Sequence, residues 1–117
     1  VFDLWSDGDK KLEGRCRKGL KNGKWTQWRP NRKKEIEFNY KDGEADGKWI
    51  NYDYNGHKKQ ERTFKVGKQN GLWASWYKNG QKKYEKTYKD NELISAECWD
   101  KVGNECECEK YWDGGCK

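Results

Sequence analysis

The sequence predicts an all-β protein: an elongated single-layer antiparallel meander of stacked β-hairpin repeats, ended by a cysteine-rich C-terminal cap. Three observations predict it. A set of residues recurs at a fixed step, each step holds two turn signals, and the chain is poor in aliphatic residues yet rich in aromatic ones. Only 32% of the 117 residues are hydrophobic and 39% are charged, so a large aliphatic core cannot form. Eight Trp, seven Tyr and three Phe must carry the burial, each ring removing roughly 150–250 Å² from water. Disordered chains of similar polarity lack such rings, and this chain is therefore expected to fold.

The step is 24 residues, repeated about four and a half times. Gly23-Lys24-Trp25, Gly47-Lys48-Trp49 and Gly71-Leu72-Trp73 are in phase, each preceded by Asn22, Asp46 or Asn70. The same step relates Gly19, Gly43, Gly67 and Asn91, a residue type that also tolerates positive φ. It also relates Lys10, Lys34, Lys58 and Lys82, and three residues on Glu13, Glu37, Glu61 and Glu85. Cys16, Tyr40, Phe64 and Tyr88 form a further column.

Each step holds two turns. Asn55-Gly56 and Asn79-Gly80 lie between segments of aromatic and long side chains and predict tight hairpins. Gly-x-x-Asn/Asp-Gly, at Gly43 to Gly47 and Gly67 to Gly71, predicts a longer glycine-bounded turn. Two turns per step leave strands of about six residues, an ordinary length. Trp25, Trp49 and Trp73 lie three residues before Trp28, Tyr52 and Trp76, and an odd offset sends the two columns to opposite faces. Either one column packs the concave side while the other is half covered by Lys and Glu stems, or part of a column is an exposed platform for a partner.

These units resemble the MORN-variant repeat, through Tyr-Lys-Asp-Gly at 40–43, Asp-Gly-Lys-Trp at 46–49 and Asn-Gly-Gln-Lys-Lys-Tyr-Glu at 79–85. The resemblance covers roughly residues 7–91. It implies tandem β-hairpins in an extended twisted sheet, found mostly in bacterial proteins. Some members are described as antitoxins of toxin–antitoxin systems, and related MORN proteins as scaffolds for protein or membrane association. The resemblance supplies no catalytic residue and no cofactor. The first unit keeps its hairpin in Asp7-Gly8-Asp9-Lys10-Lys11, whereas Arg29-Pro30-Asn31-Arg32 loses the turn glycine. After Asn91 the pattern degrades at Glu92-Leu93-Ile94-Ser95, although Cys98 to Gly103 echoes Ser75 to Gly80 with one residue deleted. Repeats 1–91 and a degenerate last repeat with its cap at 92–117 are thus expected to form one continuous domain, since terminal repeats must close an open edge.

Cys98, Cys106, Cys108 and Cys116 lie close together, and their C-x7-C-x-C-x7-C spacing lacks the short pairs of a structural zinc site. Disulfides are the expectation. A three-residue Lys101-Val102-Gly103 loop would set Cys98 opposite Cys106, which favours Cys98–Cys106 with Cys108–Cys116. Two bridges imply an extracytoplasmic setting: periplasm, cell surface or secretion. The chain starts at Val1 and contains no Met, as after trimming or processing on export. Cys16 is expected to be a buried free thiol, from its aromatic column.

No apolar run approaches the length of a membrane helix, so a soluble chain is expected. No catalytic residue, metal or cofactor emerges. The single histidine, His57, follows a turn with no nucleophile beside it, and the glutamate column gives every carboxylate nearly the same environment, unlike an acid–base pair. The net charge of +6 favours anionic partners in general. The column Lys10, Lys34, Lys58, Lys82 is either a solvated face balanced by the glutamates or a strip for acidic glycan or anionic lipid; no recognised nucleic-acid module is present. The reading is a non-enzymatic, exported structural or protein-binding repeat, alone or in a larger assembly. Two alternatives stand beside it: a carbohydrate or cell-wall binder using the spaced rings, and a cytoplasmic antitoxin-like protein binding a toxin.

Overall fold

The structure, a computed structural model, describes residues 2–4, 8–108 and 115–117. Strands follow in chain order: β1 (Phe2–Leu4), β2 (Lys10–Glu13), β3 (Cys16–Arg17), β4 (Leu20–Lys21), β5 (Gly23–Trp28), β6 (Lys34–Lys41), β7 (Glu44–Ala45), β8 (Gly47–Tyr52), β9 (Lys58–Lys65), β10 (Lys68–Gln69), β11 (Gly71–Trp76), β12 (Lys82–Lys89), β13 (Glu92–Trp99) and β14 (Glu105–Cys106). One antiparallel sheet of 12 strands runs β1-β2-β5-β6-β8-β9-β11-β12-β13-β14, with β7 on β6 and β10 on β9. β3 and β4 pair separately. The molecule measures 44 × 32 × 15 Å, and its short dimension is that of a single sheet with side chains on both faces. The meander expected from the two turns per step is what forms.

The turn chemistry is exchanged relative to the sequence reading. The two-residue hairpins are Lys18-Gly19, Asp42-Gly43, Val66-Gly67 and Asp90-Asn91, where both residues have positive φ, the signature of a type I′ turn. The Asn-Gly sites instead lie in longer turns. Asp53 N–H donates to His57 O and Gly56 N–H to Asp53 O, while Asp53 Oδ1 accepts from the amides of Asn55 and His57. The same main-chain bonds recur at Arg29–Lys33, Tyr77–Gln81 and Asp100–Asn104, and the carboxylate bonds at Asp100. Asp53 and Asp100 favour the longer form because a carboxylate takes up amides that a two-residue turn would leave unpaired. In the second unit Arg32, at φ 70°, stands where Gly56 and Gly80 stand. Beside the turns at Arg29, Asp53 and Tyr77 the ladder slips by one residue, at Gln27/Trp28, Asn51/Tyr52 and Ser75/Trp76. A bulge there adds local twist. Asp7 of the first predicted hairpin lies outside the described residues, as do residues 109–114 of the predicted cap.

Successive units are stitched at the opposite rim. Asn22, Asp46 and Asn70 accept, through side-chain oxygens, the amides of Asp42, Val66 and Asp90 in the next turn. Main-chain bonds Gly43 N–Lys21 O, Gly67 N–Ala45 O and Asn91 N–Gln69 O run beside them. This is the physical content of the Asn/Asp column: a short side chain with an acceptor satisfies a turn amide of its neighbour.

The long strand β6 has a broken counterpart in the first unit, β2 plus β3. Gly14 stands at the break, and a Cβ there would come within 1.9 Å of the Trp25 ring. Phe38, Arg62 and Lys86 hold this position in later units; only glycine lets the backbone itself cover the first tryptophan. Trp25 is accordingly 3% exposed. Toward the other end Tyr84 and Cys98 are fully buried.

The cap forms two disulfides in a pairing other than the one the spacing favoured: Cys98–Cys108 and Cys106–Cys116. The register itself is as expected, with Gly103 at φ 93° and Cys98 opposite Cys106; Cys108 faces Cys116 in a separate bridge. β14 ends at Cys106, and the chain leaves the ladder at Glu107. That departure brings Cys108 to a Cα–Cα distance of 5.3 Å from Cys98 and leaves Cys106 5.5 Å from Cys116, both within disulfide range. Cys16 is exposed rather than buried. Lys21, not Cys16, lies over the Trp25 ring, at 5.1 Å.

Candidate functional site

The parity argument places the two aromatic columns on opposite faces, and the contacts agree. On the first face the rings form a continuous spine: Phe38, Tyr40, Trp49, Phe64, Trp73 and Tyr88 meet at centroid distances of 5.0–5.9 Å, tilted or edge-on as ring quadrupoles favour. Each indole of the Trp column is anchored to a backbone carbonyl ten residues earlier: Trp25 Nε1 to Arg15 O, Trp49 Nε1 to Asn39 O, Trp73 Nε1 to Thr63 O, at 3.0–3.3 Å. Arg62 lies over Trp73 at 5.0 Å. The column thus holds neighbouring strands together and keeps its polar edges satisfied.

The second face carries the charges. Glu37 meets Lys24 at 2.5 Å and Lys34 at 3.3 Å, and accepts the Tyr52 hydroxyl. Glu61 lies 3.2 Å from Lys48 and 3.8 Å from Lys58. Its Oε1 nevertheless has no hydrogen-bond partner, so Lys48 approaches as a charge without donor alignment. Lys82 pairs with Glu85, and Lys10 with Glu13 at 3.3 Å. Every lysine of the column Lys10, Lys34, Lys58, Lys82 therefore faces the glutamate three residues on. Burial works against the Glu37 charge, but the hydrogen bonds from Lys24 and Tyr52 and the charge of Lys34 prevail and hold its pKa at about 2. Burial, the bond to Glu37 and the nearby carboxylates push Tyr52 up to about 12. Trp28, Tyr52 and Trp76 sit half-buried on this face, with Lys10 5.8 Å over the Trp28 ring.

A third feature lies at the rim of the longer turns. Arg29, Tyr54, Lys58, Lys59, Trp76 and Lys78 line a cleft of about 670 Å³. Tyr54 is 70% exposed, and the Arg29 guanidinium stacks on it at 4.4 Å while its Nη2 donates to Tyr52 O. Trp76 belongs to a predicted column. Tyr54, Arg29 and Lys78 do not, because turn positions vary between units and carry no periodic signal. His57 is a turn residue, its Nδ1 4.0 Å from Asp53. Among the described residues, no three His, Cys, Asp or Glu side chains converge as metal ligands.

A one-layer sheet of stitched hairpins, with rings on one face and paired charges on the other, defines the class: a tandem β-hairpin repeat of binding-module type, not a known enzyme family. Two adjacent units match the family model of the MORN repeat variant, at residues 45–65 and 69–90, within the stretch where the sequence resembles that family. No curated protein and no solved structure matches it.

Proposed function

We propose that this chain is a non-enzymatic, exported module that binds a protein partner or a larger assembly. The observation that carries this reading is the completeness of the two faces. The basic column is met by its own glutamates, which leaves it little net field for lipid or nucleic acid, and the tryptophan spine is committed to packing. What the molecule offers is a thin sheet with hydrogen-bonded turns along its rims, suited to shape-based protein contact. The two disulfides support an oxidising compartment over the reducing cytosol that the antitoxin-like alternative needs.

Cys16, exposed and outside both disulfides, supplies a test. A thiol-specific photo-crosslinker on Cys16, used in the native extracytoplasmic fraction, is expected to give one discrete heteromeric adduct, while the purified chain stays off vesicles rich in anionic lipid. Flotation with vesicles and no protein adduct would contradict the reading.

One observation favours a second reading, an acidic glycan at the rim cleft. Tyr54 and Trp76 offer ring faces for stacking, and Lys59 and Lys78 add positive charge at a size suited to a sugar unit. Retention on an acidic polysaccharide that Tyr54→Ala abolishes would establish it; retention unchanged by that substitution would exclude it.

A further inference from the structure

On the spine face one row crosses the sheet. Trp25 pairs with Phe38, Phe38 packs on Trp49, and Trp49 pairs with Arg62. Arg62 lies over Trp73, Trp73 pairs with Lys86, and Lys86 pairs with Ala96. Every second strand contributes a tryptophan until the last, which contributes alanine. Tyr88 packs on Trp73 on one side, and on the other it pairs with Leu93, 48% exposed.

Among the described residues the same strand, β13, is unpaired along most of its outside. β13 pairs with β12 from Glu92 to Cys98, but β14 covers only Cys98 and Trp99. Its counterpart β11 pairs with the following strand over its whole length, Gly71–Trp76. Among the described residues nothing bonds the outer edge of residues 92–97, and all six are exposed, Ile94 at 58%. Exposed apolar edge strands are templates for another chain.

We propose that the outer edge of β13 is a strand-addition site for an extended segment of a partner protein, one that alternates basic with aromatic residues. Main-chain hydrogen bonds to residues 92–97 supply the binding, and side chains supply the choice. On the spine face, an aromatic residue of the incoming strand fills the space beside Tyr88 and Ala96 and continues the ladder. On the other face Glu97 stands opposite Glu85, whose cation is Lys82. A lysine or arginine on the incoming strand would relieve that like-charge pair. Glu92 adds a second acidic side chain at the end of this edge in an otherwise basic protein. The proposal rests on the protein-binding reading and sharpens it to one edge.

The probe is a blocked peptide with the sequence of β12, Lys82 to Lys89, and a second with lysine in place of its glutamate. Amide hydrogen exchange on the oxidised full chain reads the result. The outward amides of residues 93–97 are expected to exchange quickly in the free chain and at least tenfold more slowly with saturating peptide. The lysine form should bind more tightly, with an advantage that salt erodes. Leu93→Lys with Ile94→Lys, at two exposed positions, should weaken binding at least tenfold while the thermal transition stays in place; Ser95→Lys serves if that pair does not fold. Protection elsewhere, or binding indifferent to both variants, would overturn the proposal. So would residues 93–97 already protected in the free chain, by its own tail or, if dilution removes the protection, by a second copy. A module that grips its partner elsewhere would still give the Cys16 adduct, which separates this failure from that of the broader reading.

Discussion

The hairpin closing on Val66-Gly67 and the one closing on Asp90-Asn91 share a turn but not a means of support. In the first, Trp49, Phe64 and Trp73 lock successive strands through rings and indole hydrogen bonds, and Glu61 gathers lysines from two sides. In the second, the ring column stops at Tyr88, Ala96 stands where a tryptophan would, and two disulfides hold the far corner. A repeat without a hydrophobic interior survives by neighbour contacts alone, so the last unit needs a covalent substitute for the neighbour it lacks.

The largest effect should come from removing a ring of the spine. Trp25→Ala deletes the most buried of the described tryptophans and is expected to cost about 3–5 kcal/mol, whereas Trp28→Ala on the other face should cost clearly less; equal losses by denaturant titration would erase the distinction between the faces. Reducing the cap comes next. Each bridge closes a short loop and contributes about 2–4 kcal/mol, expected to be lost locally, with exchange rising in β13 and β14 and little changed in β5 to β9. A global transition on reduction would mean that the spine cannot stand without the cap.

Acid should weaken the charged face before the spine. The folded pKa of Glu37 lies below its ordinary value of 4.5, at about 2, so its contribution is complete above pH 4.5 and fades as pH falls toward 2. Glu37→Gln should flatten the stability profile in that window, at a cost on the order of 2 kcal/mol above it. The smallest effect is a gain. Val66 holds φ 47°, a conformation costly for a β-branched residue, where other units use Asp42 and Asp90. Val66→Asn should add about 1 kcal/mol and raise the midpoint of thermal unfolding.

The fold was legible because its columns are periodic. The 24-residue step, the parity of the two aromatic columns and the Cys98–Cys106 register all follow from spacing. The turn types were misread because Asn-Gly is compatible with two hairpin geometries; in the longer one the Asp53 carboxylate takes up the amides of Asn55 and His57, and the Asn79 side chain takes up the amide of Gln81. The disulfides were misread because register names the facing residues, while the chain's exit at Glu107 decides which thiols meet. Cys16 was misplaced because sharing a column with rings does not confer their reach. The rim cleft at Tyr54 was not legible at all, and the cap expected to close the last edge covers only Cys98 and Trp99 of β13 among the described residues. Both arise where units differ from one another, and a period reports only what they share.

Peptide mapping of the natively isolated protein, alkylated before any reduction, most directly tests the disulfide cap and the proposal that the module is exported. The expected result is Cys98 linked to Cys108, Cys106 linked to Cys116, and Cys16 alone alkylated. Five alkylated cysteines would contradict both the cap and the compartment.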